Sequence, residues 1–257
     1  MKKRLRIGVV PYMNAKPLIY GLNQMSDAIE LVFEVPSLLP DMLNNGHIDV
    51  SLIPSIEYFR NGGYAVIPGI SISSLGTVES VKIFSKTPIR DIRTVALDKS
   101  SLTSCALTRI ILHEKHHLSP QYTPWNGTYD IARVDADAAL LIGDNAMRVK
   151  ENGYFTFDHT GLPFVYAIWA VKNDSHVPGI NNLLREAKEA GIQSVTTLAI
   201  TESQRTQFTQ EQCLRYLTHS IRYDLGDEEI KGFWSFYQQA VSLGLAPEGR
   251  KIVFNNT

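Results

Sequence analysis

The sequence is poor in the features that mark disulfide scaffolds, membrane proteins and binders of polyanions. It has two cysteines in 257 residues, Cys105 and Cys213. Both fall inside helical patterns and read as small core side chains rather than as a disulfide or a metal pair, which suits a reducing compartment. Net charge is −1 with no block of like charges, so there is no electrostatic case for nucleic acid or a membrane surface as partner. No stretch approaches the roughly 18 uninterrupted apolar residues of a membrane span. The basic start MKKRLR leads into an apolar run from Ile7 to Val10 that stops at Pro11. A secretory signal needs roughly 7–15 apolar residues, and the expectation is a cytoplasmic protein. A glycine-rich phosphate loop, a Ser/His/Asp order and a paired-carboxylate motif are also missing, so no cofactor is announced.

What is present is ample core material: 44% hydrophobic against 20% charged residues, enough for one large or two small domains. One short motif invites a metal reading. His113 to His117, HEKHH, matches the H-E-x-x-H pattern that places two zinc ligands one helical turn apart. Residues 103–117 read as a helix, with Thr103, Leu107, Ile110, Ile111 and Glu114 on one face and Ser100 or Ser101 as N-cap. The histidines, however, occupy its last turn before Leu118-Ser119-Pro120. The third-ligand positions of the longer pattern hold Pro120 and Thr123, and the nearest downstream glutamate, Glu151, falls in a Gly/Asn turn. A catalytic zinc needs a third protein ligand, whereas basic side chains are favoured in a last helical turn by the helix dipole. No metal site is expected.

Short β-rich runs alternate with helical patterns from the start: strand 5–10, helix 15–24, strand 30–35, helix 37–45, strand 48–53 and helix 54–61. This is the pattern of an α/β fold with parallel strands. Two β runs without an intervening helix follow, the second at 81–85. A second α/β series has strand 93–97, helix 101–116, a strand near 130–134 and the apolar strand 138–142. A β run at 164–172 precedes an all-helical tail, at 180–190, 191–200, 209–222 and 227–243. The β crossings near 81–87 and 164–172 bracket a central lobe. The expected division is 1–84 with 170–257 as one lobe and 85–169 as the other, with ligand in the cleft between them.

Three strand-to-helix junctions are rich in hydroxyl and amide groups. In VPYMNAKPLIYGL, Asn14 is placed to cap a helix whose first turn holds Pro17; DVSLIPSIEYF has Ser55 at a helix start; ALDKSSLTSCAL crowds hydroxyls at one N-terminus. Each alone is as well explained by capping. Converging, they make a site of N–H donors and dipole ends suited to carboxylates. In LLIGDNAM the buried strand stops at Gly143 and presents Asp144 and Asn145, a favoured site position that capping explains equally well. Asp144 is the one carboxylate expected in the cleft.

VPYMNAKPLIYGL, DVSLIPSIEYF, GISISSLGTVESVKIFS, VALDKSSLTSCALTRIIL and TGLPFVYAIWAV, in this order, resemble the chorismate dehydratase family of the futalosine route to menaquinone, over about residues 5–172. The resemblance implies a two-lobed α/β fold of the type II periplasmic-binding-protein-like class, used in the cytoplasm as an enzyme with neither metal nor redox cofactor. The substrate it implies is a small dicarboxylate, and it fixes no oligomeric state. Residue by residue it implies roles for Asn14 and Asp144 in catalysis and for Ser55, Ser80, Thr103 and Ser104 in substrate binding. Where such loops usually carry arginine, this chain has Lys16, Leu75, Glu79 and Leu102, and Lys16 lacks the bidentate fork. The implied reaction is dehydration of chorismate to 3-[(1-carboxyvinyl)oxy]benzoate, with either Asp144 or the substrate's own side-chain carboxylate as base. Two alternatives stand beside it: a non-catalytic solute-binding protein, and the sister enzyme acting on cyclised futalosine, against which the lack of histidine in these loops argues.

Overall fold

A computed structural model of the chain describes residues 4–25, 27–127, 130–149, 154–155 and 161–256; Glu151 lies outside the described residues. The elements in chain order are β1 (Leu5–Val9), β2 (Ile29–Phe33), α1 (Leu39–Asn44), β3 (Val50–Pro54), α2 (Ser55–Asn61), β4 (Tyr64–Ser74), β5 (Val81–Ser85) and β6 (Thr94–Asp98). Then come α3 (Leu102–Glu114), β7 (Gln121–Trp125), β8 (Ala138–Ile142), α4 (Gly143–Arg148), β9 (Tyr154–Phe155) and β10 (Phe164–Lys172). The tail holds α5 (Ile180–Gln193), α6 (Val195–Thr206), α7 (Gln210–Arg215) and α8 (Asp227–Ser242).

Two five-stranded sheets result, ordered β2-β1-β3-β10-β4 and β7-β6-β8-β5-β9. In the first, β1 runs parallel to β2 and β3, and β10 inserts antiparallel between β3 and β4. In the second, β6 runs parallel to β7 and β8, and β5 pairs antiparallel with β8 and β9. The central strands β3 (VSLIP) and β8 (AALLI) are buried at every position, which explains why they read as near-continuous apolar runs, broken only by Ser51, rather than as an alternation. Strand pairing places the crossings between Ser74 and Val81 and between Phe155 and Phe164, so β5 lies in the second sheet and all of β10 in the first. The fold class is the expected one, a mixed α/β architecture with two sheets.

Helix α8 closes the first sheet's outer side. Its buried face, Phe233, Phe236, Tyr237 and Ala240, stacks Tyr237 on Phe59 at 4.4 Å and sets Phe233 4.5 Å and Phe236 5.0 Å from Phe59 and Phe164. Each buried aromatic contributes about 1.5–3 kcal/mol, enough to dock the tail firmly.

Four local readings differ. Pro17 lies within a 3-10 segment, Met13–Ile19, in place of an α-helix over 15–24. Its fixed φ and missing N–H are tolerated there, but they do not permit a long α-helix. The strand expected near 130–134 is a 3-10 turn, Ile131–Arg133, while polar, proline-containing QYTPW forms β7. Proline is admitted there because β7 is an edge strand. The helix break expected at Gly191 is absent: Gly191 is inside α5 because a Cβ there would stand 2.0 Å from the Pro17 carbonyl oxygen. Finally, the helix read at 209–222 ends as α at Arg215 and continues as a π-turn, Tyr216–Ser220. Among the described residues, no helix is long and apolar enough to cross a membrane.

Candidate functional site

The carboxyl ends of β1, β3, β6 and β8 each lead into a helical start, and these junctions meet at one cavity of about 70 Å³ between the two sheets. Its walls include Tyr12, Asn14, Ser80, Ser101, Thr103, Ser104, Gly143 and Tyr166, over an apolar floor of Leu52, Pro54, Ile72 and Ile142. The cavity is small against the roughly 300–1,000 Å³ of typical ligand pockets. The two sheets touch beside it: the Ile56 amide at the start of α2 donates to Thr103 Oγ1 at 3.3 Å.

Of the six residues expected in the site, Asn14, Ser80, Thr103 and Ser104 line this cavity. Asn14 does so without capping anything. The cap position of its segment is Tyr12, with no side-chain bond, and the buried Asn14 Oδ1 has no hydrogen-bond partner among the described residues. A buried carbonyl oxygen left unpaired costs about 1–3 kcal/mol, a deficit that a donor on a ligand would remove. Ser101 is the N-cap of α3, accepting from the Ser104 amide at 3.4 Å while its hydroxyl bonds Ser104 Oγ at 2.8 Å. Ser100 turns instead to Asp98, donating through Oγ at 2.6 Å.

Ser55 and Asp144 stand elsewhere. Ser55 is fully buried as the first residue of α2, its Oγ unpaired among the described residues, and it does not line the cavity. Asp144 accepts from Arg205 at 2.7 Å, and the same guanidinium donates to the buried Glu202 at 2.7 Å. The carboxylate that the sequence places in the cleft is thus held by α6 from the helical tail. Among the described residues that line the cavity, none has an acidic, basic or histidine side chain.

Residues that the sequence reading did not single out complete the walls. Tyr166 sits where β10 slips register against β4, between Val165 and Ala167. Such a bulge redirects a side chain, and the Tyr166 hydroxyl meets Ser74 Oγ at 3.0 Å in the cavity wall. Burial pushes this phenol up to about 12, against the opposing effect of Ser74. Burial likewise raises Tyr12, whose ring lies against Gly143. Behind the wall, buried Tyr216 lies beside Ser80 and Asn14; burial raises its phenol and those neighbours oppose the rise. Tyrosines at strand ends, VPY and FVY, were the available signal. The bulge that aims Tyr166 has none in the sequence.

The positions where such loops usually carry arginine do different work here. Lys16 is lowered by burial and lies 5.1 Å above the Phe33 ring. Glu79 accepts from Arg215 at 3.1 Å and from Ser220 at 3.3 Å, and Leu75 is exposed. Away from the cavity, His113 is the only histidine of HEKHH inside α3, and His117 follows the helix with φ 54°. The two do not share a helical face.

A family model described as menaquinone biosynthesis matches residues 5–242. The chain belongs to this family. Membership puts it in menaquinone biosynthesis and extends the likeness through the helical tail to α8. A chorismate dehydratase of Thermus thermophilus is 27% identical over 94% of this chain and 96% of its own length. Among solved structures, a structural-genomics protein of Archaeoglobus fulgidus superposes with a TM-score of 0.72 at 17% identity, covering 94% of this chain and 98% of that one. A Candida albicans gene product described as having the generic periplasmic binding protein fold gives 0.70 at 14%, covering 96% and 92%. The alkanesulfonate-binding protein SsuA of Xanthomonas axonopodis pv. citri gives 0.66 at 15%, covering 95% and 94%. The fold is therefore periplasmic-binding-protein-like.

Proposed function

We propose that the chain is a chorismate dehydratase, removing water from chorismate to give 3-[(1-carboxyvinyl)oxy]benzoate. One observation carries the choice of reaction: the near end-to-end match to the Thermus thermophilus enzyme of that name. The cavity's chemistry supports it. Loss of the C3 proton leaves an electron pair that spreads through the C1–C2 double bond into the ring carboxylate. The C4–oxygen bond then breaks, the hydroxyl departs with a proton as water, and the ring becomes aromatic. Such a reaction requires orientation of a dianion and donors aimed at the ring carboxylate. In this reading the hydroxyls of Ser101, Thr103 and Ser104, at the start of the thirteen-residue α3, with Ser80, receive that carboxylate.

With Asp144 bound to Arg205 and no carboxylate among the described residues of the cavity wall, the base in this proposal is the substrate's own side-chain carboxylate. Asn14 holds it over C3, and Asp144 serves to fix α4 against α6. The test is incubation of the purified protein with chorismate, without added metal or nucleotide, followed by absorbance and mass spectrometry. The expected result is loss of the diene and a product lighter by one water. Intact chorismate together with saturable binding would favour a solute-binding protein, the reading suggested by neighbours such as SsuA. In an active preparation, Asn14→Ala should lower kcat, because a transition-state role is not repaired by saturating substrate.

A further inference from the structure

A second site lies on the opposite side of α3. There the structure forms a groove of about 370 Å³ between that helix, the ends of β6 and β7, and the segments following α2 and α8. Three cations line it: Arg60, Lys99 and Arg109. Arg60 is pinned, its Nε donating to the Leu245 carbonyl at 2.9 Å and its Nη1 to Glu57 at 2.8 Å. Arg109 lies with its Cζ 4.3 Å from the centre of the Tyr122 ring. Neither Arg109 nor Lys99 has an ion-pair partner among the described residues. Glu57 offsets Arg60, so the groove carries about two uncompensated positive charges. Soluble surfaces tolerate that, but here the charges stand over an apolar bed that includes Leu102 and Leu245.

A thiol also lines the groove. Cys105, between Arg60 and Arg109, is pushed up to about 12 by burial, and its Sγ donates to the Asp98 carbonyl at 3.2 Å. It is therefore a neutral wall group, and the charges that line the groove are those of Arg60, Lys99 and Arg109. A guanidinium stacked on an aromatic ring keeps its N–H edge free for a planar bidentate acceptor.

We infer that this groove binds a small organic anion: a carboxylate on a flat apolar body, its head group on Arg109 and Lys99 and its body along Tyr122 and Leu102. Because Arg60 and Leu245 come from one side and α3 and β7 from the other, the ligand bridges elements of both sheets. It also rests on the helix whose N-terminal residues line the cavity. The site requires no particular reaction in that cavity.

The experiment is titration of the full-length protein with benzoate, and separately with inorganic phosphate, followed by backbone amide shifts in two-dimensional NMR. Benzoate should move Arg109, Tyr122 and Thr123 saturably. Arg109→Gln and Lys99→Gln, checked for unchanged circular dichroism, should each weaken that response about tenfold, the loss of one charge-assisted hydrogen bond. Because the cavity is itself proposed to receive a carboxylate, Ser104→Ala is the control: the groove response should survive in it unchanged. The inference fails if the groove amides do not respond saturably, if the response persists in Arg109→Gln, or if it disappears in Ser104→Ala. It also fails if phosphate binds as tightly as benzoate, since the apolar body would then contribute nothing.

Discussion

Replacing Gly143 by alanine tests whether the cavity wall is set by packing of Tyr12. Gly143 has φ +62°, and a Cβ there would meet Tyr12 Cδ1 at 3.0 Å and Cε1 at 3.1 Å. Two effects add. A left-handed non-glycine residue costs about 1–2 kcal/mol, partly offset by about 0.4–1 kcal/mol from the stiffer unfolded chain. Displacing the ring by a few tenths of an ångström adds an overpacking term of about 1–2 kcal/mol, the low end of such effects. Gly179 separates the two, for it has φ +75° with nothing within 4 Å of its ideal Cβ. Gly179→Ala should therefore cost about 1 kcal/mol by the backbone effect alone, and Gly143→Ala about 2–3 kcal/mol when the packing effect is added. At about 2–4 °C per kcal/mol for a chain of this size, thermal unfolding should fall by about 2–4 °C for the first and about 4–12 °C for the second. Equal losses in the two variants would refute the reasoning. So would a double variant in which Tyr12→Ala fails to remove the excess.

Arg205→Gln leaves buried Glu202 without its cation and frees Asp144. With the arginine itself part-exposed, a loss of about 1–3 kcal/mol is expected in urea unfolding, and a silent substitution would show that the ion triad holds nothing together. Tyr166→Phe removes the partner of buried Ser74 and should cost about 1–3 kcal/mol, read by the same unfolding; an unchanged midpoint would dissociate the bulge from stability. Asp98 is raised by burial, with Ser100 opposing, so its contribution to stability is fully present below the unfolded carboxylate value, near 3.9. That contribution is lost as pH rises through the higher folded value. Asp98→Asn should therefore gain on the wild type as pH is raised from 4, and a stability difference flat in pH would count against the burial argument.

Much of the architecture was legible because strand and helix patterns alternate with different periods, and because the central strands β3 and β8 are too apolar to be anything but buried. Asn14, Ser80, Thr103 and Ser104 were legible as polar groups at strand ends. What escaped depends on contacts distant in sequence. Gly191 reads as a helix end, yet it is a point where α5 touches the Pro17 backbone. Asp144 reads as a cleft carboxylate, and only the packing of α6 shows its arginine, 61 residues further on. QYTPW, polar and interrupted by proline, carries no strand pattern of its own, and it is the pairing with β6 that makes it a strand, at an edge with no second neighbour among the described residues.

The position of β10 fixes an order of assembly. β4 ends at Ser74, and among the described residues its one strand partner is β10, complete only at Lys172, its other edge meeting single bridges from Arg222 and Phe254, later still in the chain. A growing chain therefore emerges with the open edges of β3 and β4 waiting while the whole second sheet is made. At about 5–20 residues per second, that interval lasts about 5–20 s. Unpaired strand edges template association with other chains, so the vulnerable species of this protein is its own nascent first half. A fragment ending before Phe164 would lack the strand that joins the sheet and should be found aggregated or chaperone-bound rather than as a free folded lobe.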